Sequence, residues 1–145
     1  MGRYLIVAHQ TAASPELIER ARQIGREDPS AEFVLLVPAT QPQHLLTWAE
    51  GEARTIAARE AEAARSALEA AGLSVSRTEV GDASPLMAID DEIRDRAGDY
   101  DAIVVCTFPS GISRWLKLDI PHQVERYGLP VIHVVASKNR IPAAP

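Results

Sequence analysis

The sequence predicts an α/β domain in three layers, a five-stranded parallel sheet with helices on both faces. Three observations carry this. Four short aliphatic runs, Tyr4-Leu5-Ile6-Val7-Ala8, Phe33-Val34-Leu35-Leu36-Val37, Ile103-Val104-Val105-Cys106 and Val131-Ile132-His133-Val134-Val135, read as strands buried on both faces. A fifth run, over 73–80, alternates: Leu73, Val75 and Val80 are apolar, while Ser74, Ser76, Arg77 and Glu79 are polar. That one-sided pattern suits an edge strand. The segments between the runs carry apolar residues at helical spacing, and strict strand–helix alternation requires parallel strands joined by right-handed crossovers.

Taken in order, the first strand leads to Ser14-Pro15-Glu16, which reads as a helix start. Ser caps, Pro occupies the first helical position, and the acid complements the helix dipole. Leu17, Ile18, Ala21 and Ile24 form the apolar stripe of that helix. The connection after the second strand, from Pro38 to Glu50, is longer than the ~2–6 residues such a unit needs. It carries Pro42, His44, Leu45, Leu46 and Trp48. It reads either as a lid or contact surface, or as an early start of the second helix. Ala53, Ile56, Ala57, Ala64, Ala67, Leu68 and Ala71 give that helix its stripe, and Gly72 stands where a left-handed cap is wanted. Its Glu/Arg-rich face, over 52–69, is a solvated surface with short-range ion pairs such as Glu62 with Arg65. Ser84-Pro85 starts the third helix, with the stripe Leu86, Ile89, Ile93 and Ala97. Asp119-Ile120-Pro121-His122 reads as an Asp cap on a Pro-started helix, and Gly128-Leu129-Pro130 leads into the last strand.

At 145 residues, the chain makes one domain, over 1–136, followed by a tail over 137–145. Hydrophobic residues are 46% and charged residues 24%, which excludes disordered and collagen-like classes. The net charge of −5 argues against nucleic acid as a partner, because such binding relies on cations that neutralise phosphates. The single cysteine, Cys106, fits a reducing compartment. No apolar run approaches the ~20 residues of a membrane span. Met1-Gly2-Arg3-Tyr4 goes straight into a strand without a secretory layout. A cytoplasmic protein without membrane contact is expected.

Phosphate signatures are scarce. The first strand-to-helix turn, His9-Gln10-Thr11-Ala12-Ala13-Ser14, has no glycine, and the chain has neither GxGxxG nor GxxxxGK[ST]. The turn after the fourth strand, Cys106-Thr107-Phe108-Pro109-Ser110-Gly111-Ile112-Ser113-Arg114, offers hydroxyls, a glycine and an arginine. It reads as a seat for a small anion. The same residues also read as a Ser110 helix cap with Arg114 solvated. His44, His122 and His133 lack metal-ligand spacing, so no metal is expected.

The stretch Ile103-Val104-Val105, then Ser110-Gly111-Ile112-Ser113-Arg114-Trp115-Leu116, and Leu129-Pro130 before the last strand resembles the C-terminal half of a universal stress protein domain. Val80-Gly81-Asp82-Ala83-Ser84-Pro85 resembles that family's Gly-Asp turn, and 3–8 its first strand. The resemblance covers 3–136. It implies an adenine nucleotide alpha hydrolase-like fold with strand order 3-2-1-4-5, a crevice between the first and fourth strands, and homodimerisation through the last strand, Val131–Val135. The departures weigh as much. Where ATP-binding members carry an Asp after the first strand, this chain has about Gln10. Cys106 replaces the first glycine of their phosphate loop, and Leu118-Asp119 replaces the closing Gly-Ser. Leu adopts left-handed angles only at a cost, and Asp119 would repel phosphate.

His9 and Cys106 end strands that this order makes neighbours. A nucleophilic pair also needs an orienting group, for which Gln10 is the one nearby side chain, and an oxyanion hole. The bland alternative makes Cys106 a small buried hydrophobe. The reading favoured is a regulatory or binding module, with no catalytic residues, built around a degenerate nucleotide site. Gln10, Thr11, Thr107, Ser110, Gly111, Ser113 and Arg114 would line a pocket for a small anion or polar metabolite. No cofactor is favoured. The alternatives are an ATP- or AMP-binding protein with substituted phosphate contacts, and a Cys/His hydrolase or transferase.

Overall fold

The structure, a computed structural model, describes residues 2–9, 11–39, 50–94, 97–109 and 114–136. The long connection over 40–49 and the tail over 137–145 lie outside them. The elements run β1 (Arg3–Val7), α1 (Pro15–Glu27), β2 (Glu32–Pro38), α2 (Glu50–Ala70), β3 (Ser74–Gly81), α3 (Pro85–Ile93) and β4 (Ala102–Thr107). Two short helices follow, α4 (Arg114–Lys117) and α5 (Ile120–Gln123), and then β5 (Val131–Val135). All five strands are parallel, in the order β3-β2-β1-β4-β5. The expected fold class and strand order are both met. Among the described residues no helix is long and apolar enough to cross a membrane.

The aliphatic runs are continuous because each central strand feeds two cores. Side chains alternate across a strand. Ile6, Phe33, Leu35, Val104 and Cys106 therefore point to one face, where Leu17, Ala21 and Ile24 of α1 and Ala57, Ala61, Ala64 and Leu68 of α2 cover them. Leu5, Val7, Val34, Leu36, Ile103 and Val105 point to the other, under Ala88, Ile89 and Ile93 of α3, Trp115 of α4 and Ile120 of α5. The buried face of α2 is almost wholly alanine, with Leu68 the one large side chain.

Helix ends follow the local chemistry. Ser14 Oγ accepts from Leu17 N at 3.3 Å and Ser84 Oγ accepts from Met87 N at 3.4 Å. Gly72, at φ 87°, closes α2: its N–H donates to Glu69 O and that of Leu73 donates to Leu68 O. This is a Schellman motif, whose left-handed residue favours glycine.

Three expectations change in detail. The third helix stops at Ile93, and Ala97 belongs to a separate 3-10 turn, Ala97–Asp99. Arg65 reaches forward one turn to Glu69, at 3.5 Å, rather than back to Glu62. Asp119 precedes α5 as expected but makes no side-chain cap bond, because it sits left-handed at φ 57°. Its carbonyl instead accepts from Gln123 N at 2.9 Å. Asp is among the few residues with a side chain that tolerate such angles.

The edge strand holds the least legible feature. Phe33 pairs with Val75 but Val34 pairs with Arg77, so Ser76 is an extra residue in a β-bulge. Ser76 Oγ donates to Phe33 O at 3.4 Å. The bulge flips the phase: Val75 and Val80, of opposite sequence parity, both pack on the α2 side, while Arg77 and Glu79 turn toward α3.

Two stability outcomes follow. Phe33→Ala, at a fully buried site, lowers the unfolding free energy by about 3–5 kcal/mol in equilibrium urea titration. Deleting Ser76 preserves the facing of every later residue in β3, whereas deleting Thr78 turns the Glu79 carboxylate into the α2-side core. The first deletion folds cooperatively and the second is strongly destabilised, as judged by the midpoints of the same titrations.

Candidate functional site

In open parallel sheets the ligand crevice lies beyond the carboxyl ends of the strands, where the strand order reverses. Here that point falls between β1 and β4, since β1 is followed by β2 on one side and borders β4 on the other. The floor is formed by Ala8 and His9 after β1 and by Cys106 and Thr107 of β4. The chain then turns into α1 through bonds from Ala12 N to His9 O and from Ser14 N to Thr11 O, both 3.0 Å.

Of the pocket residues expected from sequence, Thr11 and Thr107 are described. Both hydroxyls are engaged within the fold. Thr11 Oγ1 donates to Cys106 O at 3.1 Å, tying the β1–α1 turn to β4. Thr107 Oγ1 lies 2.8 Å from His133 Nε2, tying β4 to β5. Gln10, Ser110, Gly111 and Ser113 lie outside the described residues. Arg114 opens α4, with its side chain likewise outside them.

Two groups that sequence reasoning treated differently carry the polarity of the described crevice. His9 is 7% exposed, and its Nε2 is buried without a hydrogen-bond partner. Burial pulls its pKa down from 6.5 to about 4, so the ring is neutral at physiological pH. Glu16, in the first turn of α1, also has a buried carboxylate oxygen, Oε1, with no partner. Among the described residues these are the two buried side-chain polar atoms without a hydrogen bond, one just after β1 and the other in the first turn of α1. The signal for His9 in the sequence was its position at the end of the first strand; its missing partner is a three-dimensional fact.

The Cys106 thiol does not resemble an activated nucleophile. It contacts Ser14 Oγ at 3.7 Å and donates to Thr11 O at 3.9 Å, and burial pushes its pKa up. A protonated, buried thiol is a poor nucleophile. Among the described residues no group of three or more His, Cys, Asp and Glu side chains is placed to hold a metal ion. The described part of the crevice is therefore a largely apolar floor with a neutral imidazole and a carboxylate oxygen at its edge, suited to hydrogen bonding.

No family model matches the chain, and no curated protein matches it in sequence. Solved structures do match in shape. A universal stress protein from Archaeoglobus fulgidus is similar at a TM-score of 0.62, with 15% identity over 92% of this chain and 93% of that one. A universal stress protein in complex with cAMP follows at 0.59, with 18% identity over 92% of this chain and 96% of that one. A universal stress protein family protein from Arabidopsis thaliana with AMP bound gives 0.56, at 12% identity over 99% of this chain and 97% of that one. The chain has the fold of the universal stress proteins.

Proposed function

We propose that the protein is a binding and regulatory module of the universal stress protein type. Its ligand is a small polar metabolite held in the crevice between β1 and β4. The observation that carries this reading is the unpartnered Nε2 of His9, buried at the switch point of the sheet. Leaving a buried polar atom unsatisfied costs about 1–3 kcal/mol, which a ligand recovers by bonding to it. A neutral imidazole, whose Nε2 donates or accepts according to its tautomer, and the accepting Oε1 of Glu16 favour a ligand that offers both hydrogen-bond donors and acceptors, such as a hydroxylated ring. Any anionic group of the ligand would be met by Ser110, Gly111, Ser113 and Arg114, as proposed from the sequence. The poverty in glycine speaks for one such group rather than a triphosphate.

A second reading, an adenine mononucleotide as the ligand, is favoured by the fold neighbours described with cAMP and with AMP. We also propose a homodimer through β5, a sheet-edge strand on which Val135 is 44% exposed. An uncovered edge of this kind invites pairing with another chain.

Isothermal titration with AMP, cAMP, ATP and inorganic phosphate tests the site. AMP or cAMP binding more tightly than ATP, and at least tenfold weaker in His9→Phe, is the expected result; ATP binding tightest would overturn it. The lowered pKa of His9 has a sign that can be checked. The unfolded chain binds the proton first, so stability falls as pH drops from 6.5 toward 4, by roughly 3 kcal/mol in all. His9→Phe removes that contribution from the pH profile of urea unfolding. Sedimentation equilibrium at micromolar concentrations should return twice the 15.7 kDa chain mass. A monomer at all concentrations would dispose of the dimer.

A further inference from the structure

Away from the crevice, the two edges of the sheet are built in opposite ways. β3 carries the bulge at Ser76, and its Arg77 ion-pairs with Glu79 and with the buried Glu92 of α3, which also accepts from Tyr100 OH. A bulge and charged side chains keep an edge from pairing with another chain. β5 has neither. Its register with β4 runs unbroken from Ile103↔Val131 to Thr107↔Val135. Its side chains are Val131, Ile132, His133, Val134 and Val135, with no Lys, Arg, Asp or Glu among them.

Bonds at the two ends of β5 fix the direction of its backbone groups. Pro130 O accepts from Ile103 N at 2.9 Å, and Ala136 N donates to Thr107 O at 2.8 Å. The even-numbered residues therefore turn their N–H and C=O toward β4. Successive residues of a strand turn these groups to opposite sides, so Val131, His133 and Val135 turn theirs outward. β5 is last in the sheet order, and among the described residues no strand pairs with this outer row. The row is polar without net charge. Its amide and carbonyl dipoles are complementary in charge to an identical row laid antiparallel.

Self-complementarity also selects one alignment. A two-fold axis that pairs one residue with another makes the reciprocal pair as well. With the axis at His133, that residue lies opposite its own copy, and Val131 lies opposite the partner's Val135. Every outward N–H and C=O of both strands is then bonded. Sliding the copies by one ladder step leaves one outward residue of each strand opposite a residue beyond β5.

We infer, on the footing of the homodimer proposed above, that β5 pairs antiparallel with β5 of a second copy in the register centred on His133. One continuous sheet then runs through both protomers. The chemistry at the axis agrees. Directly opposite side chains stand about 4.5–5.5 Å apart, and like charges there repel. Burial pulls the His133 pKa below its usual 6.5, so two uncharged rings meet at neutral pH. Each ring is held to its own sheet by the 2.8 Å contact between Nε2 and Thr107 Oγ1. The flanking pairs set valine against valine and cover Val135, which is exposed in the single chain.

Residue-resolved hydrogen exchange of the wild-type protein tests this, at one concentration where sedimentation gives monomer and one where it gives dimer. The amides of Val131, His133 and Val135 should slow by tenfold or more in the dimer, beyond any change at Ile132 and Val134. One of the three left at its monomer rate would overturn the register. Slow exchange at all three that is independent of concentration means that the chain's own tail covers the edge, and it overturns the pairing. Disulfide trapping decides separately, with the buried Cys106 of the wild type as the unlinked control. His133→Cys should link to its copy under mild oxidation. Val131→Cys and Val135→Cys should stay unlinked alone, because residues four apart along a strand are about 13 Å apart, and should link when mixed. A dimer that links in any other pattern, or not at all, overturns the register and leaves the homodimer standing. A monomer at every concentration removes both.

Discussion

Covering a parallel sheet on both faces is the constraint from which the rest of this molecule follows. Once β1, β2 and β4 each supply side chains to two cores, their interiors have no room for polar groups. Polarity is pushed to the carboxyl ends of the central strands and to the edges. The molecule's two chemically interesting places lie there: the floor around His9 and the charged cluster around Glu92. Both hold buried polar groups, and they differ in how those groups are satisfied. The Glu92 carboxylate is surrounded by donors, whereas the Nε2 of His9 has none. A satisfied buried network serves to hold elements together, and an unsatisfied atom in a crevice is available to something from outside.

How much of this was legible in the sequence depended on the range of the interaction. Ser14 and Ser84 cap, and Gly72 terminates, through bonds that span at most five residues, so their neighbours announce them. Strand burial was equally readable, because a short unbroken run of β-branched and aliphatic residues can be kept from water only where both faces of a strand are covered. The bulge was not. Leu73, Val75 and Val80 look like one alternating strand, yet the change of parity between Val75 and Val80 acquires meaning only opposite Phe33 and Val34. Asp119 misled for a related reason. An Asp before a Pro-started helix fits a side-chain cap, but the backbone arrives there left-handed and the carboxylate makes no cap bond. The Arg77–Glu92–Tyr100 network joins residues 15 and 23 positions away from the arginine, beyond any local pattern.

The candidate crevice was legible as a place and less so as a set of contacts. Its position follows from strand order alone. The hydroxyls of Thr11 and Thr107 read as ligand donors because they flank the right turns; in the fold each also bonds a neighbouring segment, Thr11 tying the β1–α1 turn to β4 and Thr107 tying β4 to β5. His9, by contrast, drew attention for its proximity to Cys106. Its significance lies in what it lacks, and a missing hydrogen bond leaves no trace in a string of letters.

The alanine face of α2 shapes how firmly that helix is held. A row of methyl groups presents little corrugation, so the surfaces in contact resist lengthwise slip only weakly over most of the helix. Leu68, one turn from the end closed by Gly72, is the bulky protrusion that locks the axial position. The helix is thus keyed lengthwise by one bulky side chain near its Gly72 end, with methyl-sized contacts from Ala57, Ala61 and Ala64 over the rest of its buried face.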